Sequence, residues 1–296
     1  MAKDYQKAKL QEVTIKGYKS IAFDKPVTLK LGDISILLGA NGAGKSNIIS
    51  FFRMLGYMMS KSFGKYVEIS GTSNALLHYG AKKTPMMSGE LKFTDRQSID
   101  SYSFSLTNAA PDRLIITEER ILWHRNGEES PYEITLDTNF KESALAESND
   151  RVAQTIYQLL SYCKVYQFYD SSAEGPLRQV CPIETANYLQ SHGNNLPSFL
   201  YFLQKNYKNA YKRIVEYIRD VVPQFQDFYL VPTNNVISLR WMDNSATDYR
   251  FNAHQFSDGS IRYIALATLL LQPPQTMPNV IILDEPELGL HPYAIT

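Results

Sequence analysis

The sequence of 296 residues has only two cysteines, Cys163 and Cys181, and neither has a neighbour at metal-type spacing. They read as small buried hydrophobes rather than a disulfide. Long hydrophobic runs are missing too: the longest, such as residues 264–271, are about half of what a bilayer-spanning helix needs. The opening MAKDYQKAKLQ is charged and has no apolar stretch of the secretion-signal kind. Charge of one sign is not in excess, since 30 Lys and Arg balance 30 Asp and Glu. That balance argues against a surface built throughout for nucleic acid and leaves room for a local basic patch. His78, His124, His192 and His254 share no ligand spacing, so no metal site of their own is expected. Repeats, low-complexity tracts and sustained heptads are absent, which excludes a long coiled coil. These absences point to a soluble cytoplasmic protein with one large domain or two modest ones.

What is present changes period along the chain. Residues 12–16, 27–31 and 34–38 read as strands, the third a continuous apolar run of the kind buried on both faces. A helical stripe of Ile48, Ile49, Phe52, Leu55 and Met59 follows from Lys45. Residues 61–89 read as a long loop with fragments of structure. Alternating segments at 90–93, 101–106, 113–118, 121–124 and 132–136 predict an antiparallel sheet. Helical stripes then run through Val152–Leu160 and Tyr207–Val221. Two strand candidates at 228–231 and 236–241, a helix over 260–271 and a strand at 280–283 complete the pattern. The segment VYQFYDSSAEGPLR, residues 165–178, reads as a link without assignable chemistry.

Gly39-Ala40-Asn41-Gly42-Ala43-Gly44-Lys45-Ser46 fits G-x-x-x-x-G-K-[ST] and lies between a predicted strand and a helix, the context that motif requires. Glycines let the backbone fold so that its N–H groups face phosphate oxygens, and the helix start adds its positive end. Lys45 is then placed for the β- and γ-phosphates of ATP and the Ser46 hydroxyl for Mg²⁺, with Asn41, Gly42, Ala43, Gly44 and Asn47 completing the cradle. A Gly-rich turn that binds nothing is the plainer reading, and the strand–loop–helix context weakens it.

The stretch NVIILDEPELGLHP ends an apolar strand in Asp284 and Glu285. At the end of a buried parallel strand Asp284 suits the Mg²⁺ ion, and Glu285 suits the water that attacks the γ-phosphate. An ordinary strand-end turn would look the same without the phosphate loop. In FSDGSIRYIALATLLL, Ser257 and Asp258 are helix-capping types and Gly259 permits close approach. This segment predicts a second helix start suited to an anion, although simple capping accounts for it as well. Two phosphate grips in one chain make sense if each ATP is held between two chains.

Together the phosphate loop, the Ser-Asp-Gly-Ser segment and Leu-Asp-Glu-Pro resemble the ABC-type ATPase heads of the SMC and RecF proteins. LDEPELGLHP and FSDGSIRYIAL look closer still to the stand-alone bacterial ATPases related to the OLD nucleases. The resemblance is strong over residues 11–60 and 250–293. It implies an α/β fold: a P-loop NTPase with an ABC-ATPase-like head, a mixed core sheet, an antiparallel β subdomain and a helical lobe. The expected division is 1–140, 141–255 and 256–296. The resemblance further implies a homodimer closed around two Mg²⁺-ATP, with catalytic Glu285 and Lys45 and metal-binding Ser46 and Asp284. Ser257, Asp258 and Gly259 would face the partner's γ-phosphate. In TIKGYKSIAF, Lys19 matches the family's basic residue that reaches the phosphates, and His291 falls where transporter heads carry an Asp.

The family's Gln that joins the lobes to Mg²⁺ stays open among Gln154, Gln158 and Gln167. Relatives continue past this point with a helix, a strand and a switch histidine, whereas this chain stops five residues after His291. A chain so shortened is expected to have a sheet without its last strands and a weakened hydrolysis. Two functions stay in play: an ATPase that regulates a protein effector or a nucleic-acid process, in DNA repair or phage defence, and a nucleotide-gated module with negligible turnover. A transporter subunit fits less well, given the long insertion between Lys45 and Asp284. Lys205, Lys208, Lys212 and Arg219 share one helix face that suits phosphates or plain solvent, diluted by Glu216 and Asp220.

Overall fold

Alternation of polar and apolar residues builds most of the first half of the chain into one sheet. In the computed structural model, which describes residues 8–95 and 97–290, the strands are β1 (Lys9–Lys16), β2 (Val27–Lys30), β3 (Met86–Thr94), β4 (Ser98–Ala109), β5 (Arg113–Arg125) and β6 (Tyr132–Thr135). Their order is β2-β1-β3-β4-β5-β6, with every pairing antiparallel. Residues 113–118 and 121–124, expected as two strands, form the single strand β5. Only the polar Glu119-Arg120 lies between them. Glu119 turns inward, fully buried, and its carboxylate accepts the Tyr102 hydroxyl, Ser143 Oγ at 2.6 Å and the Ala144 N–H at 2.7 Å. A buried charge is tolerated because its acceptor sites are filled.

Helix α1 (Lys45–Met59) lies on this sheet through Phe51, whose ring stacks on Phe104 of β4 at 6.0 Å. Gly89 of β3 makes room: a Cβ there would sit 2.6 Å from the Phe104 ring and 2.7 Å from that of Phe51. The stretch expected as loop contains α2 (Phe63–Ile69), α3 (Thr72–Leu76) and the start of β3. Helix α4 (Arg151–Ser161) is capped by Asp150, which accepts from the Val152 and Ala153 N–H groups at 2.9 Å, and Tyr157 Oη donates to Met59 O at 3.2 Å.

Two units emerge, Met1–Lys164 with Asn279–Ile282, and Val165–Pro278 with Leu283–Thr296. The boundary passes through β7 (Cys163–Tyr166). In the second unit lie β8 (Cys181–Pro182), α5 (Leu196–Asn206), α6 (Lys208–Val221), β9 (Phe225–Phe228), β10 (Val236–Ile237), β11 (Arg240–Asp243), β12 (Ala246–Asn252) and α7 (Asp258–Leu271). The stripe of α6 buries Tyr211, Ile214, Val215 and Ile218, and Arg213 donates to Leu271 O, the last residue of α7, at 3.0 Å. Strands β12-β11-β9 form a small antiparallel sheet whose Trp241 stacks on Phe256 at 4.7 Å. Both cysteines are free and buried.

One expectation is corrected. The apolar run 34–38 forms no strand, and its side chains lie in solvent, Ile34 at 87% and Leu38 at 89% exposure. A strand needs lateral partners for its N–H and C=O groups, and no described strand pairs with this run. Apolar periodicity reports what a segment is fit to bury, not which neighbours it meets. The last strand, β13 (Val280–Leu283), does form, pairing with β7, but it is half-buried rather than buried on both faces.

Asp100 of β4 supplies a test of this sheet. Burial, with nearby Asp95 adding to it, pushes its carboxyl up to about 6. The folded chain therefore holds that proton more tightly than the unfolded one, and the group costs stability as the pH rises from about 4 through 6. Asp100→Asn is expected to be more stable than the wild type near pH 8 by about 1–3 kcal/mol, an advantage that disappears towards pH 4. Urea unfolding at several pH values measures it.

Candidate functional site

Residues 39–44 approach α1 as an exposed turn in which Gly42 (φ +83°) and Gly44 (φ +96°) take the left-handed backbone that favours glycine. A side chain at Gly42 would meet nothing within 4 Å, so that face of the turn is open. Helix α1 then starts at Lys45 with no side-chain cap and no acidic residue in its first turn. Its leading N–H groups and positive dipole end are thus left for an anion. Lys45 Nζ bends over the turn, donating to Gly39 O and to Ala40 O, the latter at 3.1 Å.

The loop carrying Lys19 is pinned against this turn. Asn47 Nδ2 donates to Ser20 Oγ at 2.6 Å, and Ser20 Oγ lies 3.3 Å from where a Gly44 Cβ would stand. Lys19 itself has φ +49°, a strained conformation for a residue with a side chain. It is held there by its N–H on Leu76 O at 2.8 Å and by His78 Nδ1 at its carbonyl, also 2.8 Å. Below it Tyr18 Oη meets Ser50 Oγ of α1 at 3.0 Å and Tyr66 Oη at 2.9 Å. Burial, and the charge of Arg53 after it, lower the Lys19 ammonium from its usual range. The structure thus gathers Lys19, Asn47 and the turn from Gly39 to Ser46 in the first unit.

In the second unit Asp284 stands at the end of β13, its N–H on Tyr166 O at 3.3 Å. Its Oδ2 accepts from Gln167 Nε2 at 2.6 Å. Of the three glutamines left open by the sequence, the buried Gln167 is the one bonded to Asp284; Gln154 donates to Ser148 O at 3.3 Å, and Gln158 faces solvent on α4. Glu285 follows, exposed and with φ +46°, another strained backbone at a chemically suggestive residue.

Ser257 caps α7, its Oγ accepting from the Ser260 N–H at 3.1 Å and meeting Ser260 Oγ at 2.8 Å. Asp258 would put a negative charge at that helix start, but Arg178 answers it at 2.8 Å. Arg178 is buried and also donates to Ser171 O at 2.9 Å, to Ala253 O and to Phe256 O at 3.2 Å. Gly259 lies so close to the turn after Glu285 that its Cβ would be 2.8 Å from Gly289 O. Gly289 is confined differently: it takes the left-handed backbone (φ +74°), and a Cβ there would displace the tip of the Arg262 side chain, 2.3 Å away. Arg262 of α7 donates to Leu288 O at 2.8 Å and to Tyr169 O. Asp284, Gln167, Gly259 and Arg262 thus come together in this unit. Arg178 and Arg262 were not singled out from sequence; an Arg placed by carbonyls of distant segments leaves no periodic trace. His291 lies outside the described residues.

These groups fit Mg²⁺-ATP in kind. The turn and α1 offer N–H donors and a cation to phosphates, and the Asp284 carboxylate and Ser46 hydroxyl are hard oxygen ligands of the type Mg²⁺ takes. Among the described residues no cluster of three or more His, Cys, Asp or Glu side chains could hold a metal. No described helix is long and apolar enough to cross a membrane.

The Gly259–Gly289 approach predicts that Gly259→Ala costs about 1–3 kcal/mol, because backbone rather than a flexible side-chain tip must move. Gly56→Ala, in the middle of α1 where an added Cβ meets nothing within 4 Å, is the control and is expected to be stabilising by about 0.5–1 kcal/mol. Denaturant unfolding compares the two.

No curated protein matches the chain. A family model does match, over residues 34–296, with the description "AAA domain, putative AbiEii toxin, Type IV TA system". The match takes in the phosphate loop, α7 and the Asp284-Glu285 turn, and most of the chain; the protein belongs to this family of AAA-type P-loop ATPase domains.

Proposed function

We infer that the chain is an ATP-hydrolysing head that closes as a homodimer around two Mg²⁺-ATP and so controls a protein effector. The observation that carries this reading is the Gln167–Asp284 hydrogen bond beside the glycine-packed start of α7, alongside a phosphate loop whose helix start is uncapped. Mg²⁺-ATP supplies the reactive phosphorus and the charge shielding of its oxygens. Lys45 would exchange the carbonyls of Gly39 and Ala40 for phosphate oxygens, and the Ser46 hydroxyl and the Asp284 carboxylate are each the kind of oxygen ligand that would serve Mg²⁺. Gln167 orients the Asp284 carboxylate by donating to one oxygen. Glu285 positions a water and takes its proton as attack begins. Ser257 and Gly259 present hydroxyl and backbone N–H to the nucleotide of the partner chain, with Arg178 neutralising Asp258 so that the approach of phosphate meets no opposing charge. Lys19 adds a cation beside the loop. The family description supports a place in a toxin–antitoxin or abortive-infection system, which on this reading defends against phage.

A second reading, a nucleotide-gated module with low turnover, is favoured by the exposed run at 34–38 before the phosphate loop. Light scattering with Mg²⁺ and ATP, beside a phosphate-release assay, separates the two. Wild type should pass from monomer to dimer on ATP, and Glu285→Gln should stay dimeric for longer with turnover at least about tenfold lower, as loss of a general base implies. Dimerisation without turnover in the wild type would select the second reading; an unchanged mass in both chains would sink the shared-nucleotide mechanism. Lys45→Ala should lose ATP binding in equilibrium dialysis, whereas equal binding to wild type would overturn the assignment of the phosphate loop. Gln167→Leu, which deprives Asp284 of its donor, should raise the Mg²⁺ needed for half-maximal turnover several-fold with ATP binding to the loop retained.

A further inference from the structure

The far end of α7 borders a groove that the nucleotide chemistry does not use. It has a volume of about 740 Å³ and is formed where α5 passes into α6, facing the Pro273-Pro274 bend just beyond α7. Lys205, Lys208 and Arg213 line it, and no carboxylate does. None of the three is in an ion pair among the described residues. All three are exposed, and two are steadied by contacts that leave their charge free. Lys205 Nζ rests 5.3 Å over the Tyr201 ring, and Arg213 spends one N–H on Leu271 O at 3.0 Å, keeping the rest of its guanidinium available.

We propose that this groove binds the phosphodiester backbone of a nucleic acid. The chain carries no net charge, so three unpaired cations in a concave site without a lining acid are a local concentration rather than a sample of a basic surface. Lys208 and Arg213 are five residues apart on α6, about 7.5 Å along the axis and about 140° around it, so with Lys205 they reach the groove from different directions rather than in one row. A ligand with several phosphates can meet more than one of them, which a single anion cannot. Helix α6 adds to the field, starting beside the groove with no side-chain cap and no acid in its first turn. Glu216 and Asp220 lie further along α6 and do not line the groove. A membrane surface fits less well, since no Leu, Ile, Val or Phe lines the groove to enter lipid. Arg213 of the groove is bonded to Leu271, the last residue of α7, and Ser257, which caps the start of that helix, lies 14 residues or about 21 Å away. Strand binding and the proposed nucleotide contact thus sit at opposite ends of one rigid element.

Fluorescence anisotropy with a labelled 20-base oligothymidine and a labelled 20-base-pair duplex, without ATP, tests this. Wild type should bind one or both at about 50 mM salt and weaken steeply as salt rises. The double variant Lys205→Glu with Lys208→Glu should bind at least about tenfold more weakly with a salt slope shallower by about 2, while its circular dichroism and melting stay at the wild-type values. No binding by the wild type at low salt, or equal binding by the double variant, would overturn the proposal. So would loss of binding in Lys45→Ala, which would move the strand to the phosphate loop. Full competition by millimolar inorganic phosphate would reduce the groove to a single-phosphate site. Tighter binding to polyglutamate or to phosphatidylserine vesicles would assign it to an acidic protein or a membrane instead.

Discussion

Two backbones meet at Gly259 and Gly289 with no room for a side chain on Gly259, and the chemistry of the second unit is arranged around that approach. Because the start of α7 touches the turn after β13 directly, Arg262 reaches both Leu288 and Tyr169 from one helical position. Tyr169 lies two residues beyond Gln167, the donor to Asp284. Three segments distant in sequence are thereby tied through main-chain carbonyls, which have no rotamers to lose. An acid placed here has few ways to wander, and Asp284 is held between its own N–H on Tyr166 O and an amide on its carboxylate.

Charge is handled in the same local way. Asp258 would oppose any anion at the start of α7, and buried Arg178 takes it up while binding three carbonyls as well. The desolvated guanidinium has acceptors around it, so the pair avoids the cost of an unanswered buried charge. At α1 the opposite choice is made, with neither cap nor acid. One helix start is satisfied by side chains and the other left wanting. That contrast separates a helix start open to an anion from one already closed by its own side chains.

Residues with local rules were legible in the sequence. The phosphate loop, the stripe of α1, the cap at Ser257, the alternating strands and the Leu-Asp-Glu turn all rest on spacing within a few residues. Glu119 was misleading because a buried carboxylate is an exception that only its partners explain. Gln167 could not be chosen over Gln154 and Gln158, since what selects it is an Asp more than a hundred positions away. Arg178 and Arg262 were invisible for the same reason. The run at 34–38 failed differently: its composition is that of a strand, yet no described strand lies beside it.

Gly89 bears on how the loop responds to its ligand. With Phe51 seated on Phe104 in the space that glycine leaves, and Tyr18 joined to Ser50 one residue earlier, α1 is keyed at neighbouring positions to the sheet and to the loop after β1. Turning the helix about its axis would drag an aromatic ring through the pleat. The proposed exchange of Lys45 from its own loop to a phosphate asks only that one side chain at the rim swing, with the helix beneath it left in place. The device works like a latch on a fixed post, and a bulkier residue at position 89 would loosen the post without touching the latch.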